Sequence, residues 1–223
     1  MTIPNPGPPA QAYPLTFDVV YPERLSRWKT AFRLILSVPV VLLVRILVGA
    51  NYQGTSATYG AEPYTITIPN FTNLGGLLVA APLLMIVIRR KYPRWWFDWN
   101  LGILSFGSRI AAYLYLLRDE YPSTDEDQAV HLAVRYPDAA RELNRWLPLV
   151  KWLLAIPHYI VLIVLTVTSL VAVIVAWFAI VITGRYPRVL FDFVVGYLRW
   201  SYRVTAYAFT LVTDKYPPFR LSP

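Results

Sequence analysis

Residues 152–184 contain no Asp, Glu, Lys or Arg. A helical membrane span takes about 20 mostly apolar residues. A run of this length therefore lies in a bilayer or has to be hidden behind other elements. Composition favours the bilayer. The chain is 56% hydrophobic and 15% charged, against about 45–50% and about 25% in ordinary soluble domains. Its net charge of +8 flanks the apolar runs, where Lys and Arg meet anionic headgroups and set orientation. That placement argues against a nucleic-acid partner. With no cysteine in the chain, disulfides, thiolate nucleophiles and Cys-based metal sites are excluded. The first twenty residues are Pro-rich and uncharged until Asp18, so no signal peptide is expected and insertion falls to an internal helix.

The second constraint is duplication. Arg27-Trp28 aligns with Arg145-Trp146, Pro39 with Pro157, and Arg33 with Lys151. Further on, Lys91-Tyr92-Pro93-Arg94-Trp95-Trp96-Phe97-Asp98 aligns with Arg185-Tyr186-Pro187-Arg188-Val189-Leu190-Phe191-Asp192. Gly102, Arg109 and Tyr113 match Gly196, Arg203 and Tyr207 in the same register. Tyr-Pro pairs punctuate both copies: Tyr21, Tyr92 and Tyr121 in the first, Tyr136, Tyr186 and Tyr216 in the second.

These registers divide the chain into a Pro-rich flexible arm (1–16), a first membrane repeat (17–123), an acidic linker (124–129) and a second membrane repeat (130–223). The first copy carries an insertion at about 50–72, whose counterpart is the short polar break Thr166-Val167-Thr168-Ser169. Insertions sit at exposed connections, so each repeat reads as a transmembrane helical hairpin, about 28–49 with 73–90 and about 146–165 with 168–184. One long helix over 147–183, bent at Pro157, is the alternative for the second. The alternating stretch Tyr64–Ile68 predicts a small extended loop in the first hairpin. Two further extended segments, Phe17–Tyr21 and His131–Tyr136, are candidates to pair with each other.

Charge sets the expected topology. Arg24, Arg27, Lys29 and Arg33 precede the first hairpin, and Arg89, Arg90, Lys91 and Arg94 follow it. Arg141, Arg145 and Lys151, then Arg185 and Arg188, frame the second. By the positive-inside rule both hairpins point outward from a cytoplasmic base, with cytoplasmic termini. A third apolar stretch follows each, at about 95–117 and 189–212. In the second copy Asp192, Arg199, Arg203, Thr210 and Asp214 recur at helical spacing, and in the first Asp98, Ser105 and Arg109 do. Charge at mid-bilayer is costly, so an amphipathic helix lying in the interface is preferred over a third span. Tyr21, Trp28, Tyr92, Trp95, Trp96, Trp146, Tyr186, Trp200 and Tyr216 are the expected interface anchors, because Tyr and Trp favour the headgroup level.

Little in the chain points to catalysis. The two histidines, His131 and His158, form no ligand cluster. No nucleophile, phosphate-cradling or dinucleotide motif appears. Asp98 and Asp192 could serve as paired acid–base carboxylates, yet each follows an arginine by four residues, where an ion pair explains it. Arg45 is the one charge inside an apolar hairpin segment, with two readings: a functional intramembrane charge or a side chain snorkelling to the outer headgroups.

The motifs Arg145-Trp146-Leu147-Pro148, Ala155-Ile156-Pro157-His158-Tyr159, Thr183-Gly184-Arg185-Tyr186-Pro187-Arg188, Phe191-Asp192-Phe193-Val194-Val195-Gly196, Leu198-Arg199-Trp200-Ser201-Tyr202-Arg203 and Asp214-Lys215-Tyr216-Pro217-Pro218-Phe219 together resemble a bacterial membrane-protein family known only as a domain of unknown function. The resemblance covers residues 130–219 and, as a diverged copy, residues 17–123. The first copy departs from it: Arg90-Lys91 replaces Gly184-Arg185, Trp95, Trp96 and Trp99 crowd the turn, and Ser105 stands for Arg199. The resemblance implies an inner-membrane protein and brings no catalytic residues.

The expectation is thus an all-α, multi-pass protein of the bacterial cytoplasmic membrane, built from two parallel repeats. It is read as a non-enzymatic accessory or scaffold subunit with no cofactor or metal. Its expected partners are membrane lipids and another membrane protein or its own copies. The alternative is a small transporter, channel or lipid-handling protein using the Asp/Arg stripe.

Overall fold

A computed structural model describes residues 13–48 and 74–223. In chain order these form strand β1 (Leu15–Val19), helices α1 (Arg27–Ala31), α2 (Arg33–Val48), α3 (Leu74–Arg89) and α4 (Arg94–Leu114), and strand β2 (Val130–Val134). A 3-10 turn (Leu147–Leu149) and helices α5 (Lys151–Leu154), α6 (Ile156–Thr183) and α7 (Arg188–Ala208) complete the chain. The protein is mostly helical, and α6 is long and apolar enough to cross a membrane.

The elements begin and end where the local chemistry requires. Pro93 and Pro187 hold extended backbone directly before α4 and α7, as suits a residue whose fixed φ and missing N–H fit a helix start. Two Tyr-Pro pairs therefore open helices. Helix α6 has Pro157 in its first turn and ends at Gly184, in the left-handed region at φ 73, with its N–H on the Ile180 carbonyl.

The second hairpin is not formed. Residues 166–169 continue as α6, a single helix of 28 residues. The polar break is absorbed within it: the Thr166 and Thr168 hydroxyls donate to the carbonyls of Leu162 and Val164, and Ser169 donates to Thr166. Back-bonding of this kind satisfies a hydroxyl without opening the backbone. In the first half α2 and α3, of 16 residues each, fall on the two stretches expected to be helical. Arg45 falls on α2, but its side chain lies outside the described residues, as do the insertion at about 50–72 and residues 1–12.

The extended segments pair. Strands β1 and β2 are antiparallel, from Leu15↔Val134 to Val19↔Val130. The all-α expectation is thus corrected by a two-stranded sheet outside the hairpin. Leu15 and Thr16, assigned to the arm from the sequence, belong to β1. Leu15, Phe17 and Val19 alternate into the core, where β1 lies on α7 and β2 on α4. Helix α7 is buried along most of its length. It runs back along α6: Thr166 meets Tyr197, and the Trp200 indole reaches His158.

The segments around residues 25–30 and at Arg145 each meet the far end of a distant apolar helix. The Leu25 N–H donates to the Gly184 carbonyl, and the Trp177 indole to the Thr30 carbonyl. Arg145 Nε donates to the Val87 carbonyl at 2.6 Å.

Candidate functional site

Polar chemistry gathers at two corners with matching parts. In one, Lys151 is fully buried, and its ammonium lies 2.7 Å from the Asp214 carboxylate and 2.8 Å from the Thr213 carbonyl. The other Asp214 oxygen accepts the Asn144 N–H, and the Tyr207 ring faces the ammonium. In the other corner Arg33, 3% exposed, pairs with Asp119, Asp119 accepts the Ser26 N–H, and the Arg33 guanidinium stacks over Tyr113. Arg33 also donates to the carbonyls of Tyr113 and Arg118. Burial pulls the Lys151 amine below its usual pKa, and Asp214 pulls it back towards the charged form. Arg33 and Lys151 share one position in the aligned registers, which does not by itself name their partners. The signal was present: Asp119 and Asp214 each stand two residues before a Tyr-Pro pair.

A second set of contacts crosses between the copies. The Tyr21 hydroxyl donates to the Tyr186 carbonyl, and the Tyr136 hydroxyl to the Tyr92 carbonyl. Arg188 lies over the Tyr21 ring and Arg94 over Tyr136. Phe191 meets Tyr21 edge-on and Phe97 meets Tyr136 edge-on. Tyr92 also donates to the Thr210 carbonyl at 2.8 Å. Burial pushes the Tyr92 hydroxyl up to about 12, against a small opposing pull from Asn100. Burial raises Tyr186 as well.

The expected polar stripe divides. Asp98 and Asp192 are exposed and pair with Arg94 and Arg188 one turn away, at 4.0 Å and 3.2 Å. The arginines turn inward. Arg199 donates to the carbonyls of Phe17 and Leu221 and to Asp18, tying β1 and the C-terminal tail to α7. Arg203 is buried and donates to the carbonyls of Arg220 and Ser222. Arg109, half-buried, donates to the Ser123 carbonyl. The stripe thus holds chain segments down rather than converging on one point.

The tail is fixed from its other side by His158. This buried ring accepts the Trp200 indole N–H on Nδ1 at 3.0 Å and stacks on Phe219, with ring centroids 4.0 Å apart. Among the described residues no three His, Asp or Glu cluster as metal ligands would.

The nine expected anchors also divide. Trp28, Trp95, Trp146 and Tyr216 are exposed, and Tyr21 is half-buried. Tyr92, Trp96, Tyr186 and Trp200 are core residues. Their polar tips are the reason for three of them: the Tyr92, Tyr186 and Trp200 donors reach partners inside the protein, so they need no headgroup or water.

These features describe a mostly helical protein in which, among the described residues, one helix is long and apolar enough to cross a membrane. Residues 146–220 match a family model described as a domain of unknown function, DUF4389. No curated protein and no solved structure matches the chain.

Proposed function

We propose that the protein is a non-enzymatic membrane platform, an accessory or scaffold subunit held in one leaflet by the apolar face of α6. The carrying observation is that this face is bare. Large apolar side chains at Ile156, Ile160, Ile163, Val167, Leu170 and Ile174 are exposed along one side of the helix, and only 17% of its most apolar window is buried. A soluble core helix would be covered, and a bare apolar surface of this length needs lipid or an apolar partner.

Charge then sets the orientation of α6. Cations precede it at Arg141, Arg145 and Lys151 and follow it at Arg185 and Arg188. With a hairpin, both ends could share one side of the membrane. With one continuous helix, the positive-inside rule is met at both ends only if α6 lies along the membrane. The matched contacts of the two copies support the two-repeat plan. In this reading the basic ends face the cytoplasm of a bacterial inner membrane. The outer face of β1, β2 and α4 is left to receive another membrane protein or a second copy of the chain.

The chain lacks cysteine, which makes labelling direct. Single variants A140C and R185C are expected to react with an impermeant maleimide from the same membrane face, and reaction from opposite faces would overturn the in-plane orientation. Gentle detergent extraction of the tagged protein is expected to recover a larger complex. A lone monomer under every mild condition would count against the scaffold role.

A further inference from the structure

We propose that the cleft beside Arg89, Arg90 and Lys91 holds the phosphate of an anionic membrane lipid headgroup. The inference rests on the membrane reading above. The cleft has a volume of about 650 Å³ and lies between the end of α3 and the segment after β2, within the usual range of about 300–1,000 Å³ for small-molecule sites.

Its charge is unbalanced. Six charged residues line it: Arg89, Arg90, Lys91, Arg135, Asp138 and Glu142. Glu142 is paired with Arg135, and Asp138 with Arg141. Among the described residues the exposed side chains of Arg89, Arg90 and Lys91 make no ion pair. The dipole of α3 favours a cation in its last turn, which accounts for Arg89. It does not account for the two cations beyond the helix end. Three adjacent, unpartnered cations attract a phosphate oxyanion, and the exposed Leu84 and Ile88 on the same helix offer an apolar flank for acyl chains.

The other copy shows that the turn itself does not require these charges. Thr183, Gly184 and Arg185 occupy the equivalent positions. There Gly184 takes the left-handed conformation at φ 73, and its carbonyl is closed off by the Leu25 N–H at 2.9 Å. On the first side an arginine, Arg90, is held in the same region at φ 50. A non-glycine residue adopts that conformation at a cost, and such costs are maintained at functional positions.

Native mass spectrometry of the detergent-solubilised protein tests the proposal, with phosphatidylglycerol, phosphatidylcholine and inorganic phosphate as probes. The wild type is expected to prefer phosphatidylglycerol over phosphatidylcholine. The variant R89Q/R90G/K91Q is expected to lose that preference by about tenfold, a screened fraction of three interfacial cations. K91Q alone, in the loop outside α3, should show a smaller loss if the triple variant does not fold. R24Q/K29Q removes two cations elsewhere at the membrane base and should cost the preference clearly less than the triple variant does. Equal binding of the two lipids, an unaltered triple variant, or an equal loss in R24Q/K29Q would overturn the proposal. Displacement of phosphatidylglycerol by equimolar inorganic phosphate would overturn the lipid assignment and make the cleft a free-phosphate site. A failed membrane reading appears separately, as release of the wild type from membranes by alkaline washing.

Discussion

The Lys151 ammonium sits 2.7 Å from the Asp214 carboxylate, with the lysine wholly removed from solvent. Breaking a buried pair by deleting one partner typically costs about 3–5 kcal/mol, because the other charge is left uncompensated. D214A is therefore expected to destabilise by that order, and D119A to do the same by stranding Arg33. The double variant K151M/D214A should recover much of the loss. Thermal melting in detergent checks this, and a D214A variant as stable as wild type would show that the ammonium is satisfied by the Thr213 carbonyl alone.

Tyr21 and Tyr136 make equivalent hydrogen bonds across the copies. Removing one hydroxyl forfeits about 1 kcal/mol of net stability, or about 2–4 °C in a chain of this size. Y21F and Y136F should fall together within that window, as read by melting temperature. A large loss in only one of them would mean that the two crossings are not equivalent.

Gly196 faces the tail at close range: a Cβ there would lie 2.8 Å from the Leu221 Cβ and 3.1 Å from the Leu221 carbonyl oxygen. Its counterpart Gly102 has nothing within 4 Å of the same point. G196A should lift the tail and loosen the Arg199 and Arg203 hydrogen bonds at about 1–3 kcal/mol, while G102A should be tolerated. Trypsin cleavage after Arg220 would accelerate in G196A and stay at the wild-type rate in G102A.

Burial raises the Tyr92 hydroxyl to about 12. A group whose folded pKa is raised contributes stability that is fully present below its unfolded pKa, here about 10. That contribution is lost as pH rises from about 10 to about 12. Ultraviolet titration of the tyrosines should show exposed residues ionising first and Tyr92 with the other buried rings later, accompanied by unfolding. A single phase near pH 10 in folded protein would contradict the burial of Tyr92.

How much of this was legible in the sequence depended on whether the signal was local. The Tyr-Pro pairs at Tyr92 and Tyr186 mark helix starts because proline acts on its own backbone. The pairing of β1 with β2 followed from two extended patterns. The continuity of α6 did not, because Thr166, Thr168 and Ser169 read as polar until their hydroxyls are seen bonded within the helix. Trp200 and Tyr186 read as interface residues for the same reason: sequence shows an amphipathic side chain, and only packing shows whether its polar tip finds a carbonyl, a histidine or water. Of the expected stripe, Asp192, Arg199 and Arg203 fall on α7 and Asp98 and Arg109 on α4, whereas Thr210 and Asp214 lie beyond the end of α7. The stripe's division into exposed carboxylates and buried arginines depended on β1 and the tail, which are far away in the chain.

The crossing of each copy into the other carries a consequence for single-copy chains. The segment that matches the family model, residues 146–220, contains Arg199 and α7 but not β1. Isolated, that segment would leave α7 uncovered, Tyr186 without the Tyr21 hydroxyl, and Arg199 without the Phe17 carbonyl. The segment that matches the family model is therefore smaller than the unit that packs together. A chain carrying only such a segment would need a strand from another source to cover α7, so the matched segment is a part that depends on its host for a lid.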